Sequence, residues 1–254
     1  MRLPRRLDHG QQAELVDHLG ELRSRIFVAG GAVLVGTIAA YAVHARILRA
    51  LIDALPRHHR QLLTFGVAEP FTTSLKVSVV AGILLALPVV LWQLWAFVAP
   101  ALDPKTQHGI AGFVVFAGLL LVAGVIFGDL VALPAALRFL TNYDQSLYDI
   151  KLRAADYISF AVLVLAACGA VFELPIAVLG LVRVRALTSQ KLRRNRRMGY
   201  LIVTVIGVCL PGVDPITTVM ETIPLAILFE ASIWLSVVFE RRWGFAPVAA
   251  SGSY

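Results

Sequence analysis

The apolar residues of this chain are gathered into long runs, and the short segments between the runs carry most of the charge. Runs with few or no charged residues cover 26–43, 77–98, 110–128, 158–182, 198–210 and 216–239. About 20 helical residues cross the ~30 Å hydrocarbon core of a bilayer, and all but one of these runs are that long or nearly so. The pattern predicts an all-α integral membrane protein with six transmembrane helices.

The run over 198–210 is short, and Arg197 and Pro211 bound it. A helix of this length rises roughly 20 Å, so the bilayer is expected to thin beside it or a cavity to open there. A re-entrant or buried helix is the alternative for this run. Residues 211–215 then make a tight connection to the last predicted span.

The other segments are assigned by their composition. The run over 26–43 exceeds the apolar region of a signal peptide and follows 25 mostly polar residues, so we expect a retained helix. Residues 45–55 have the spacing of a short amphipathic helix at the interface, and 134–156 are polar enough to form an external cap. Residues 1–254 are predicted to form one membrane domain, with 1–25 and 240–254 as its terminal segments.

Composition and charge narrow the class of protein. Of the 254 residues, 58% are hydrophobic and 15% are charged, against about a quarter charged in a soluble domain. The net charge is +7, and 15 of the 23 Lys and Arg residues lie on the side of the predicted termini. This bias predicts cytoplasmic termini. The excess charge is therefore a topology signal rather than a nucleic-acid surface.

Motifs for enzymatic chemistry are absent from the sequence. There is no phosphate-binding glycine loop, no H-E-x-x-H pair and no nucleophile elbow. The two cysteines, Cys168 and Cys209, lie inside apolar runs and have no zinc-site spacing. We expect no enzyme activity, no metal and no cofactor.

Ionisable residues inside predicted spans are costly and are therefore candidates for function. Glu173 precedes Pro175, which is expected to bend its helix, so the carboxyl faces either a partner or a cavity, or only ties helices together. Glu221 is placed near the external end, in contact with water, and Glu230 near the cytoplasmic interface. Before the first span, Glu21 and Arg25 are i,i+4 neighbours expected to pair, unless they belong to an ordinary solvated helix.

Four sequence blocks together resemble the TatC family, the multispanning receptor subunit of the twin-arginine protein translocase. The resemblance covers residues 15–240, in order. Its blocks are His18-Leu19-Gly20-Glu21-Leu22-Arg23-Ser24-Arg25, the run from Leu87 to Leu102, Phe172-Glu173-Leu174-Pro175, and Pro211 to Glu230 with Asp214, Ile223-Pro224 and Phe229-Glu230.

The resemblance implies a function and a set of sites. Folded proteins with twin-arginine signal peptides would dock at the cytoplasmic face, TatA- and TatB-type single-span proteins would assemble with the receptor, and the proton-motive force would drive passage. A homo-oligomer within the complex and contact with membrane lipid are also expected. Signal-peptide binding falls to Glu21, Leu19, Arg23, Phe97 and Asp103. Contact with partner helices falls to Glu173, Pro175, Asp214, Thr218 and Glu221.

Two positions depart from the family pattern. Thr106 stands where family members often carry a second Glu in the first cytoplasmic loop, and Asp103 is the candidate substitute. Thr218 stands where the family has a polar Gln, and Glu221 is a possible replacement nearby. The alternative function is a proton-coupled small-solute secondary transporter that uses Glu173, although no inverted repeat supports it.

Overall fold

The computed structural model describes residues 9–56, 59–98, 110–143, 147, 150–209 and 215–242. Of the side chains within these helices, those of residues 9–19, 98, 110, 111 and 217 are not described. Nearly all of the described chain is helical. The helices are α1 His9–Ala42, α2 His44–Asp53, α3 Glu69–Val98, α4 Ile110–Phe127, α5 Leu133–Asn142, α6 Ala154–Phe172, α7 Leu174–Arg183, α8 Ser189–Arg194, α9 Arg196–Cys209 and α10 Pro215–Arg242. The all-α class is confirmed.

Among the described residues, five stretches are long and apolar enough to cross a membrane. They are Gly20–Ala42, Glu69–Phe97, Gly112–Asn142, Ala154–Arg183 and Thr218–Arg242. The short helix α9 has 14 residues, which rise roughly 21 Å, less than the ~30 Å core. The predicted short fifth run is therefore the short helix α9, which lies in sequence between the long apolar stretches Ala154–Arg183 and Thr218–Arg242.

Two helices extend well beyond the runs that predicted them. Helix α3 begins before Lys76, whose Nζ lies 2.9 Å from the Ser159 hydroxyl on α6, so its charge is accommodated in place. Beyond α4 the chain passes Asp129 in a π-helical turn, Gly128–Ala132, and continues as α5. Ending a predicted helix at its first charged residue therefore makes these two helices too short. Part of the predicted cap, from residue 134, is the helix α5.

Close contact between α1 and α3 fixes one side of the molecule. A Cβ built on Gly82 of α3 would lie 2.4 Å from the backbone nitrogen of Thr37 on α1. Only glycine allows this approach, as in other membrane helix pairs joined through small residues. The contact fixes the position of α1 relative to the half of α3 that carries Gln93 and Phe97.

The end of the molecule that holds α2 is closed by a group of contacts that we call the Glu69 latch. The Glu69 carboxylate accepts hydrogen bonds from Arg153, with Nε–Oε1 and Nη2–Oε2 distances of 3.1 Å each. It also accepts the backbone N–H groups of Phe65, Gly66 and Ala155 at 3.1–3.3 Å. The loop before α3 is thereby tied to the start of α6.

The amphipathic segment predicted over 45–55 is the helix α2. Leu51 and Leu55 are buried against α6, and the Tyr157 hydroxyl donates to the Leu51 carbonyl. Arg60 closes the segment by donating to the Asp53 carboxylate at 3.0 Å and to its carbonyl at 2.8 Å. One apolar core lies here, among α2, α3, the π turn, α5 and α6.

The helices α7, α9 and α10 form the other half around a smaller apolar core. Val203 of α9 packs there with Leu225, Phe229 and Ile233 of α10. The helix run predicted over 158–182 is interrupted at Glu173, where α6 ends and α7 begins, with Pro175 in the first turn of α7. This interruption is at the position that Pro175 predicted.

Candidate functional site

Glu21 lies on α1 where that helix passes α3. Arg25 donates to the Glu21 carboxylate through Nε, at 3.1 Å from Oε1, and also through Nη2. The Nη1 of Arg25 lies 3.4 Å from Oε1 of Gln93 on α3. The predicted Glu21–Arg25 pair is therefore present and is tied to α3. A carboxylate and a neutral oxygen acceptor here share one guanidinium.

The remaining residues predicted for signal-peptide binding are arranged less closely. Phe97 is half-buried one turn beyond Gln93 on α3. Arg23 is exposed, and its guanidinium carbon lies 5.7 Å from the centre of the Phe27 ring. Leu19 belongs to α1, but its side chain is not among those described, and Asp103 lies outside the described residues.

Gln93 is the member of this cluster that the sequence analysis did not single out. It is a polar residue within Leu91-Trp92-Gln93-Leu94-Trp95, inside the second predicted span. An amide in such a run is itself a signal because its polar atoms need partners. Gln93 carries no charge, so a search for ionisable side chains within the spans does not find it.

Glu173 lies at the break between α6 and α7. Both of its carboxyl oxygens are buried, and neither has a hydrogen-bond partner among the described residues. Burial of a polar group without a partner carries a desolvation cost. The interpretation that Glu173 ties helices together by hydrogen bonds therefore finds no support among these residues. Pro175, two residues on, is buried.

Glu221 of α10 is buried, with 3% of its surface exposed. The expectation that it contacts water near the external end is wrong. Helix α10 packs against α7, α9, α5, α6 and the π turn. The sequence of α10 alone does not reveal which of its residues these contacts bury.

Glu173 and Glu221 belong to the same seam between helices. Val171 and Leu174, on either side of Glu173, pack against the core that contains Leu225, one turn beyond Glu221. Thr218 is half-buried one turn before Glu221, and its carbonyl accepts the Thr222 hydroxyl at 2.7 Å. Asp214 lies outside the described residues.

Glu230 has partners from α9. The Tyr200 hydroxyl donates to its carboxylate at 2.7 Å, and Nη2 of Arg196 lies 3.5 Å from the other oxygen. The Glu230 carboxylate, predicted to lie near the cytoplasmic interface, links α9 to α10. Across the described ranges, no group of three His, Cys, Asp or Glu side chains is placed to hold a metal ion.

Comparison with known proteins identifies the family. The family model described as "Sec-independent protein translocase protein (TatC)" matches residues 17–224. The TatC protein of Carboxydothermus hydrogenoformans is 34% identical over 223 residues, which are 87% of this chain and 92% of that protein. The TatCd protein of Bacillus subtilis is 32% identical over 244 residues, covering 95% and 99% of the two chains.

Solved structures give the same result. A crystal structure of the twin arginine translocase receptor TatC superposes with a TM-score of 0.74 and 31% identity, over 87% of this chain and 98% of that one. The same receptor in the detergent DDM gives a TM-score of 0.76 over 86% and 99%. This is a family of protein translocase components rather than of enzymes, and nothing in these matches supports a small-solute transporter. The chain belongs to the TatC family and is a multispanning membrane component of a Sec-independent protein translocase.

Proposed function

We propose that this chain is the receptor of its translocase and binds twin-arginine signal peptides of folded cargo where α1 meets α3. One observation carries the proposal: the Glu21 carboxylate already holds a guanidinium, that of Arg25, beside Gln93. A site that binds an arginine from its own chain has the geometry and charge to bind one from a peptide. Carboxylates bind guanidinium groups through paired, charge-assisted hydrogen bonds.

Neighbouring residues would complete the peptide site. Phe97 offers an apolar surface one turn from Gln93, and we assign the same role to Leu19. We assign Arg23 to the site as well, at its exposed edge. Asp103 is proposed to take the second arginine in place of the Glu that Thr106 replaces, because a second carboxylate is needed for a second guanidinium.

The seam between α6, α7 and α10 is proposed to contact TatA- and TatB-type single-span partners. A buried carboxyl without a hydrogen-bond partner among the described residues, Glu173, favours a group from another helix. Pro175, Thr218 and Glu221 line or shape the same seam, and Asp214 is assigned to it from the family pattern. The proton-motive force would drive cargo passage, and several copies of the chain would assemble in the complex.

The proposed location is a prokaryotic cytoplasmic membrane with both termini on the cytoplasmic side. The distribution of basic residues supports this orientation, since 15 of 23 lie on the side of the termini. Glu21 then faces the compartment from which cargo arrives.

Site-specific crosslinking with a twin-arginine signal peptide tests the receptor function. We expect Arg-Arg peptide to crosslink near residues 93 and 97 and Lys-Lys peptide to do so far less. Glu21→Ala should weaken binding of the Arg-Arg peptide about tenfold, because a charge-assisted contact is lost. Asp53→Ala is the matched control, since Asp53 also pairs with an arginine, at 3.0 Å, but near α2.

Equal crosslinking of Arg-Arg and Lys-Lys peptides would contradict the receptor proposal. Unchanged binding by Glu21→Ala, with preference for Arg-Arg intact, would instead remove only Glu21 from the site. Equal losses in Glu21→Ala and Asp53→Ala would mean that the effect reflects folding.

A further inference from the structure

An apolar groove of about 300 Å³ runs between α7 and α9, beside the seam that holds Glu173. Both helices pack on α10, and Phe229 of α10 lies at the bottom of the groove. Residue 199 of α9 is a glycine, and a Cβ there would lie 2.1 Å from the Phe229 ring. The absence of a side chain at this position therefore leaves room for the ring at the bottom of the groove. One wall is a stripe of α9 at helical spacing, made by Met198, Ile202 and Ile206, all exposed.

The polar residues of the groove lie together at one end. Lys191 of α8 and Asn195, between α8 and α9, are the polar side chains in its lining. Arg194 is three residues from Lys191 on the same short helix. Neither Lys191 nor Arg194 forms an ion pair with any residue in the described part of the chain.

The neighbouring arginines point to α10 instead and have partners there. Arg193 lies over the Trp234 ring at 5.3 Å, and Arg196 pairs with Glu230. Trp234 is 59% exposed and Tyr200 is 40% exposed. Exposed Trp and Tyr side chains are typical of the bilayer interface, where lipid headgroups lie. The cationic end of the groove is therefore at headgroup level and its apolar length runs into the hydrocarbon region.

We propose that this groove binds an anionic phospholipid, with one acyl chain along α9 and the phosphate at Lys191 and Asn195, the polar side chains that line it. The Lys191 cation at the mouth complements a negative headgroup, and the apolar walls match an acyl chain. The proposal does not depend on signal-peptide binding.

Photocrosslinking in vesicles tests the site. The full chain is reconstituted in phosphatidylcholine vesicles that contain a diazirine-labelled acyl chain on either phosphatidylglycerol or phosphatidylcholine, at equal mole fraction. We expect phosphatidylglycerol to label α9 at Met198, Ile202 and Ile206 in preference. Ile202→Trp should fill the groove and abolish this labelling. Leu201→Trp is the matched control, because Leu201 is exposed on α9 but does not line the groove.

A charge series tests the headgroup contact separately. A basic residue near a charged lipid surface changes affinity roughly fivefold. Lys191→Gln should therefore lower the preference for phosphatidylglycerol by about that factor. Arg194→Gln and Arg197→Gln, which remove cations that do not line the groove, should leave the preference unchanged.

Three results would overturn the proposal. The first is equal labelling of α9 by the two lipids. The second is labelling that persists in Ile202→Trp. The third comes from the assembled translocase: a photoreactive residue at position 202 that crosslinks to a single-span partner and to no lipid would make the groove a helix-docking surface.

Discussion

Two buried carboxyl groups, in two regions of the molecule, are treated in opposite ways. At the α2 end, Glu69 accepts five hydrogen bonds, two from Arg153 and three from backbone N–H groups. In the middle of the α6–α7 segment, the Glu173 oxygens are buried and find no partner among the described residues. A buried polar group that has hydrogen-bond partners stabilises the fold. A buried polar group without partners lowers stability, and it is therefore a candidate for a role in function.

The surroundings of Glu69 and Glu173 also differ. The Glu69 latch joins loops that flank the larger apolar core, and its negative charge and hydrogen bonds raise the pKa of Arg153. Arg153 thus stays charged over the whole physiological range. Glu173 lies beside the smaller core, at a break in the helix and next to the groove that begins at Leu174. The half around the larger core is therefore held together by its polar contacts. The half around the smaller core has the surfaces at which we expect other molecules to bind.

Removal of the Glu69 carboxylate should have the largest effect on stability. Glu69→Ala leaves three backbone N–H groups without their acceptor and separates the loop before α3 from α6. We expect the unfolding temperature in detergent to fall by roughly 5 °C or more. Asp53→Ala, which removes an exposed pair with Arg60, should change it little. If the two variants unfold at the same temperature, the latch is not what stabilises this end.

Glu173→Gln should have the opposite profile. It removes a carboxyl whose burial is costly and keeps its size, so the unfolding temperature should stay within about 2 °C of the parent or rise. Crosslinks to TatA- and TatB-type helices should fall several-fold, while peptide binding at α1 is retained. A drop in stability as large as that of Glu69→Ala would show that Glu173 ties helices together. Lost peptide binding would move it into the docking site.

The sequence predicts the helices better than it predicts these polar contacts. The apolar runs predicted the long helices because a helix that crosses the hydrocarbon core must be apolar. Pro175 predicted the break at Glu173. The Glu69 latch was not predicted, because Glu69 and Arg153 are 84 residues apart and no local pattern joins them. The burial of Glu221 was not predicted for a similar reason: α10 packs against several elements, among them α5 and the π turn, that are remote in sequence.

Glu21 is intermediate between the two carboxyls, and its internal partner tests the comparison most finely. Arg25 satisfies Glu21 as Arg153 satisfies Glu69, but the Glu21 side chain is 35% exposed against 5% for Glu69, so the Glu21 carboxylate is more accessible to a new partner. An i,i+4 pair is worth about 0.3–0.5 kcal/mol, which is roughly a twofold change in affinity. If a peptide guanidinium displaces Arg25, Arg25→Gln should tighten binding of the Arg-Arg peptide about twofold. Calorimetric titration of the two proteins with one peptide measures this change in affinity.

Arg241→Gln, at the exposed end of α10, controls for the loss of one positive charge. Weaker binding by Arg25→Gln would mean that Arg25 orients the carboxylate and that Glu21, like Glu69, depends on its partner.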